Sequence, residues 1–261
     1  MIKVKKFSKD NYLAWDSFVR NANNGTIFHL RKFLNYHSPE RFKDNSIELY
    51  KGNNLLSVFP AADIMKEGKR ILVSHPGASY GSFITKEDLS IKNAIEMVEE
   101  LNGYAIRKGF DGIEMTIPPS FYSNRVSNYV EFALLSGGFD YFRRELTSTL
   151  TIRENEDDIL NKFKPSHQRA VKRSQNLGVE VKITNKVDEF FSILETNLKI
   201  RHDVKPTHTI NELKTLINFF PEEINVFGAF YNHQMIAGVL NIIVKEGVAL
   251  AFYISHKNEF Q

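Results

Sequence analysis

The chain contains no cysteine among its 261 residues. That excludes disulfides, thiolate metal sites and a thiol nucleophile, and it leaves the redox compartment open. No apolar run is long enough to cross a bilayer, so no membrane span is expected. There is no Gly-x-Gly-x-x-Gly and no phosphate-loop lysine. Excess charge is also scarce, because 34 Lys and Arg face 31 Asp and Glu for a formal +3. So small a surplus argues against generic or sequence-specific nucleic-acid binding, while a local basic patch can still meet an anion. The opening Met1-Ile2-Lys3-Val4-Lys5-Lys6 runs into polar residues rather than an apolar export segment, and the expected location is cytoplasmic.

What is present is a phrase that occurs twice. Ser46 to Tyr50, Leu55 to Met65 and Arg70 to His75 are strand-like runs with Gly or Asn at the junctions. The pattern returns as Ile224 to Tyr231, Met235 to Val244 and Val248 to His256. Apolar, β-branched and aromatic runs joined by short turns predict antiparallel meanders. Their repetition predicts tandem copies of one unit, set here at residues 1–145 and 146–261. A Gly-bearing loop and a long helix follow the first meander, whereas only Lys257 to Gln261 follow the second, so the second copy is expected to be incomplete at its carboxyl end. The predicted fold class is α/β (α+β), a pair of twisted, mixed, mostly antiparallel sheets flanked by helices.

Along the first copy the pattern predicts a strand at Ile2 to Phe7 and an amphipathic helix from Asn11 to Val19, capped by Asp10, with Leu13, Trp15, Phe18 and Val19 on one face. A short helix around Phe28 to Tyr36 follows. Asp88 or Ser90 caps a helix that reaches Lys108 and stops at Gly109, Gly112 to Ile117 is a strand, and Phe121 to Leu135 is largely helical. In the second copy Leu146 to Arg153 alternates as a strand, and helices from Asp157 to Phe163 and Ser166 to Leu177 flank Pro165. Val179 to Thr184 is a strand, and helices at Asp188 to Arg201 and Asn211 to Phe220 precede the meander.

Four features carry candidate chemistry. On the helix from Ser166 to Leu177, Arg169, Lys172 and Arg173 gather on one face while Leu160, Phe163, Ala170, Val171 and Leu177 are expected to point inward. Such a cationic face suits a phosphate or carboxylate; the alternative is a solvated surface helix. The loop His75-Pro76-Gly77-Ala78-Ser79-Tyr80-Gly81-Ser82 offers His75 and Tyr80 as substrate contacts. Its glycines would let backbone N–H groups approach an anion, or else supply a tight turn of positive φ. The polar stretch from Arg201 to Thr209 holds His202 and His208, candidates for substrate contact and general base respectively, since imidazole titrates near neutrality. Asp203 lies between them, but no further ligands stand at metal spacing, and no metal is expected. Tyr253, mid-strand, is a candidate to donate a proton or position a leaving group, and Asn241 is a polar residue amid apolar ones that needs a partner or a cleft.

Trp15 and Phe18, Asn24-Gly25-Thr26-Ile27-Phe28-His29 with Phe33, Leu34 and Tyr36-His37, Pro76 to Gly81, the basic helix leading to Gly178-Val179, and Pro206-Thr207-His208 together resemble the FemAB-like acyltransferases of the Gcn5-related N-acetyltransferase superfamily. The resemblance spans nearly the whole chain. It implies two acetyltransferase-like units and transfer of an acetyl or aminoacyl group, from acyl-CoA (acetyl-CoA) or an aminoacyl-tRNA, to an amine of a small or lipid-linked amino sugar or other cell-envelope precursor. Arg169, Lys172 and Arg173 would then hold an anionic part of donor or acceptor, with Tyr253 near the point of transfer. The superfamily's Arg/Gln-x-x-Gly-x-Gly/Ala loop for the donor pyrophosphate is missing after the first meander, so the donor site is not visible in this chain. That absence favours the other reading, a non-catalytic glycan- or partner-binding module on a degenerate fold.

Overall fold

A computed structural model describes residues 1–152 and 156–260. The chain divides into two compact units, the first made of Met1–Asp140 with Ile243–Ala249, the second of Tyr141–Ile242 with the chain from Leu250 onward. Among the described residues no helix is long and apolar enough to cross a membrane.

The first unit opens with β1 (Ile2–Lys6), a single 3-10 turn and α1 (Tyr12–Arg20). The turn is capped by Ser8, whose hydroxyl accepts the Asp10 N–H, so Asp10 is not the cap expected for this helix. Trp15, Phe18 and Val19 are buried as their spacing requires, but Leu13 is 82% exposed and does not share their face. After α2 (Arg31–Leu34) come β2 (Lys43–Asp44), β3 (Ile47–Lys51), β4 (Asn54–Phe59), β5 (Ala62–Lys66), β6 (Lys69–Ser74) and β7 (Ile84–Thr85). The run Leu55 to Met65, expected as one strand, is two. Pro60 has no N–H to give to a ladder, and the strands on either side of it join different sheets, ordered β1-β3-β4-β7 and β2-β5-β6.

The break at Pro60 is satisfied locally. Ala61 N–H donates to Ser46 Oγ at 3.1 Å, and Asn45 N–H donates to the Ala61 carbonyl at 2.8 Å. Ser46 N–H and hydroxyl both donate to Asp44, while buried Arg31 bonds Ser46 and Asp44 and lies over the rings of Phe7 and Trp15 at 4.1 and 5.1 Å. Burial alone would raise the Asp44 pKa, but the Arg31 charge and the Ser46 donors hold it below the usual carboxylate range.

α3 (Ile91–Arg107) starts at the Ser90 cap, which accepts the Asn93 N–H at 3.2 Å, and stops before Gly109 at φ +70°. Ala94, Met97, Val98, Leu101, Tyr104 and Ala105 form its buried stripe, packed with Ile2, Ile47, Leu49, Phe59, Leu72 and Phe83 in the unit's core. β8 (Gly112–Met115) then pairs in parallel with β6, completing the second sheet. Helix content in the segment from Phe121 is less than expected, with a 3-10 turn at Ser120–Tyr122 and α4 only from Tyr129 to Ser136.

In the second unit, residues 143–152 form no regular structure where the strand from Leu146 was expected, and Arg153 lies outside the described residues. Leu146, Leu150 and Ile152 are exposed. The alternation is present, but no ladder receives it, and strand propensity without a partner does not make a strand. α5 (Glu156–Asn161) and α6 (Pro165–Asn176) follow, with Pro165 at the first helical position and Gly178 at φ +87° past the end. No residue of α6 is buried. The inward face expected for Ala170, Val171 and Leu177 is therefore solvent-exposed. β9 (Glu180–Thr184), α7 (Val187–His202), α8 (Ile210–Phe219), β10 (Ile224–Tyr231), β11 (Gln234–Lys245) and β12 (Val248–His256) complete the chain's main elements. The strands form one sheet in the order β12-β11-β10-β9. Its inner face presents Ile224, Val226, Leu240 and Ile242, and α7 and α8 contribute buried Phe190, Ile193, Leu194, Leu213 and Leu216. A Cβ at Gly238 would lie 2.5 Å from the Phe190 ring, so the glycine is what lets this phenyl seat on the strand.

Candidate functional site

In the second unit α7 ends at Asp203, which takes the left-handed conformation at φ +51° and turns the chain out. The polar stretch ends at Thr209, the cap of α8. Thr209 Oγ1 accepts the Glu212 N–H at 3.2 Å, while Glu212 Oε2 accepts the Thr209 N–H at 2.8 Å and its hydroxyl at 3.0 Å. His208, the residue before this box, is thereby held in place and is buried.

Its imidazole Nδ1 lies 2.8 Å from the hydroxyl of half-buried Tyr253 on β12. The Phe252 ring stands 5.5 Å from the imidazole. The Thr207 hydroxyl and the backbone N–H groups of Thr207 and His208 stand near enough to favour the ionised form of the Tyr253 phenol. The phenol donates to Nδ1 when the imidazole proton is on Nε2, and accepts from Nδ1–H in the other tautomer. Burial raises the Tyr253 pKa, the Thr207 and His208 donors oppose that rise, and the Glu212 charge adds to it. Two residues further along the same face of β12, buried Ser255 Oγ accepts the Asn197 Nδ2–H at 3.1 Å and points to the Ile193 carbonyl. Arg201 at the end of α7 reaches His256 Nε2 at 3.1 Å.

Of the candidate residues, the structure thus joins His208 and Tyr253 through one hydrogen bond. His202 is the last residue of α7 and is exposed. Asn241, on β11, sits opposite Asn225 of β10 and between buried Leu240 and Ile242, on the other face of the sheet from them. Arg169, Lys172 and Arg173 share the exposed α6, one turn apart. Glu212, Asn197 and Ser255 were not singled out in the sequence, whereas Thr207 stood within the polar stretch and in Pro206-Thr207-His208. The Thr209-Ile210-Asn211-Glu212 spacing was a legible signal for the capping box, whereas Ser255 and Asn197 carried none.

In the first unit, His75 and Tyr80 belong to a loop that is closed on itself. Gly77 N–H donates to His75 Nδ1 at 3.2 Å, Ala78 N–H to the His75 carbonyl, Gly81 N–H to the Thr116 carbonyl at 2.8 Å and Ser82 N–H to Ser74 Oγ at 2.7 Å. The amides expected to face an anion are already engaged. Neither Gly77 nor Gly81 has positive φ; it is Ser82 that does, at +77°. The glycines serve close approach instead, because a Cβ at Gly77 would lie 2.4 Å from His37 Nε2 and one at Gly81 2.2 Å from the Ser74 carbonyl oxygen. Both expectations for these glycines are corrected, and this loop does not fit a donor pyrophosphate. Burial lowers the pKa of His75 to about 4 and that of His29 to about 3. Tyr80 packs edge-on against Phe28 and Tyr122, and burial with the Tyr80 hydroxyl pushes the Tyr122 pKa up.

No protein-family model matches the sequence, and no curated protein matches it. Among solved structures, FemX matches at TM-score 0.66 with 11% identity, covering 99% of this chain and 81% of its own. A conserved protein of Enterococcus faecalis V583, described as a probable N-acyltransferase, matches at TM-score 0.35 and 11% identity over 100% of this chain and 60% of its own. The glucosamine N-acetyltransferase region of a fungal multi-domain GH3 beta-N-acetylglucosaminidase matches at TM-score 0.37 and 11% identity, over 99% and 30%. The chain has a FemAB-like fold, a tandem of mixed α/β units flanked by helices. Within that class, FemX is one solved structure to which the chain is similar in fold.

Proposed function

We propose that the chain is an N-acyltransferase that moves an acetyl or aminoacyl group to an amine of an amino sugar or cell-envelope precursor. The observation that carries this reading is the 2.8 Å contact between His208 Nδ1 and the Tyr253 hydroxyl, on a strand of the second unit of a FemAB-like fold. A paired phenol and imidazole supply what acyl transfer to an amine needs, a route for the amine proton away from the forming bond and back to the leaving group. The amine nitrogen attacks the acyl carbon, giving a tetrahedral intermediate. Its proton passes to the phenol oxygen as the phenol proton passes to Nδ1. Collapse breaks the bond to the donor's sulfur or ester oxygen, which recovers the proton by the same path. Either acyl-CoA or an aminoacyl-tRNA satisfies this scheme as donor. Arg169, Lys172 and Arg173 are assigned to the anionic part of donor or acceptor, with His202 and Asn241 of the same unit as further substrate contacts.

The test is to incubate the protein with labelled acetyl-CoA, or with charged tRNA, and a panel of amino-sugar acceptors. Label on the acceptor nitrogen, lost in Tyr253→Phe, is the expected result. No transfer from either donor, with glycan binding retained and coenzyme A ignored, would leave the binding-module reading in its place.

A further inference from the structure

From Lys162 to Leu177 the chain holds Lys162, Lys164, Arg169, Lys172 and Arg173 and no Asp or Glu. Among the described residues none of Lys164, Arg169, Lys172 and Arg173 is in an ion pair, whereas Arg143, Lys182, Lys186 and Lys214 of the same unit each have a carboxylate within 3.9 Å. At about 3.6 residues per turn, Leu177, Ala170, Ser174, His167 and Val171 occupy one side of α6. Arg173 borders that side on one flank and Lys164, the cap residue, on the other, while Arg169 and Lys172 take the far side. Leu177 is 58% exposed and Val171 38%. Ser174, in the middle of the apolar side, donates its hydroxyl to the Ala170 carbonyl at 3.0 Å, so its polar group is satisfied within the helix.

We propose that α6 lies on an anionic lipid surface, with Val171, Ala170 and Leu177 toward the acyl region and Lys164 and Arg173 among the headgroup phosphates. A helix of low overall hydrophobicity whose apolar side is bordered by Lys and Arg gains both from burial and from attraction to anionic lipid. The long stems of the two flanking cations let their charged ends stay with the headgroups while the carbon chains cover apolar surface. The helix lies along the surface and does not cross it, since no helix among the described residues is long and apolar enough to span. A nucleic acid fits less well, because it would engage the cations and leave the exposed apolar side without a partner. Attachment goes beyond the acyl-transfer reading and needs no transfer; Arg169 and Lys172, on the far side, stay turned to the anion which that reading gives them.

The experiment sediments the full chain with vesicles of phosphatidylcholine, alone or with about a third phosphatidylglycerol. The protein should travel only with the anionic vesicles and come off as salt rises from about 0.05 to about 0.5 M. Lys164→Gln with Arg173→Gln should weaken the partition about thirtyfold, and Val171→Ser with Leu177→Ser about tenfold. No residue of α6 is buried, so both pairs should fold, with melting temperatures close to that of the wild type. The chain has no cysteine, so an environment-sensitive dye on Ser174→Cys reports the apolar side alone. Its emission should shift to the blue on anionic vesicles, and the same dye on Lys172→Cys should stay in water. No binding to anionic vesicles, binding that neither pair weakens, or RNA bound in their place overturns the proposal. So does a Ser174 dye that stays wet on bound protein, since charge alone would then hold it. Vesicle binding without any transfer sinks only the acyl-transfer reading, and transfer to a soluble acceptor without vesicle binding sinks only the membrane contact.

Discussion

Tyr253 and His208, 45 positions apart, meet through one side-chain hydrogen bond: the phenol hydroxyl sits 2.8 Å from Nδ1. Replacing Tyr253 by Phe deletes the hydroxyl and with it the hydrogen bond to Nδ1 in a half-buried place. The expected loss of stability is about 1 to 3 kcal/mol, read from denaturant unfolding. Acyl transfer should fall by about a hundredfold or more. A variant as stable as the wild type would show that this hydrogen bond contributes little.

Acid should destabilise the first unit in two stages. His75 and His29 are buried and have folded pKa values of about 4 and about 3, against 6.5 for a free imidazole. The unfolded chain therefore binds protons that the folded chain refuses. Stability is complete above the unfolded value and falls as pH drops from about 6.5. Asp63 adds a second stage. Arg70 bonds it through two nitrogens at 2.9 and 2.7 Å and Lys43 at 2.9 Å, lowering its pKa to about 2. Its contribution is present above the unfolded value of 3.8 and is lost as pH falls toward 2. Unfolding titrations between pH 7 and 2 should show both regions, and Asp63→Asn should remove only the lower one.

Much of this was legible in the sequence, because local rules govern the places where it succeeded. Ser90 before a 3.6-period stripe and Gly109 after it bounded α3 nearly to the residue. Gly178 and Pro165 did the same for α6, and short polar turns marked the second meander. The failures are places where a partner decides. The Leu146 run has strand composition and no ladder. Pro60 divides a run between two sheets. α6 has a periodic apolar stripe that nothing covers, and Leu13 fits a helical face that the packing leaves in water. At the candidate site, His208 and Tyr253 were each suspect by chemical type, but their pairing depends on how the α8 cap and β12 meet, which no spacing encodes.

Gly238 gives a sharp test of packing in the second unit. An alanine methyl there would meet the Phe190 ring at 2.5 Å, and the phenyl is fully buried with nowhere to move. Gly238→Ala should cost about 1 to 3 kcal/mol through overpacking, seen as a lower melting temperature. Pairing it with Phe190→Leu should recover part of that loss, because the smaller side chain vacates the contested space. Additive losses in the double variant would mean the two positions do not compete.

The cationic helix separates function from stability most cleanly. Arg169, Lys172 and Arg173 lie on α6, no residue of which is buried, so their side chains hold no core together. Replacing all three by Gln should change unfolding free energy by no more than about 0.5 kcal/mol per position. If they grip an anionic part of the substrate, the same variant should raise the apparent Michaelis constant and flatten its dependence on salt, since the screened attraction is what has been removed. The turnover number should change far less, because the proton path through Tyr253 and His208 is untouched. Equal Michaelis constants and equal salt slopes in the two proteins would assign α6 to the solvent, and the anion would have to be held elsewhere.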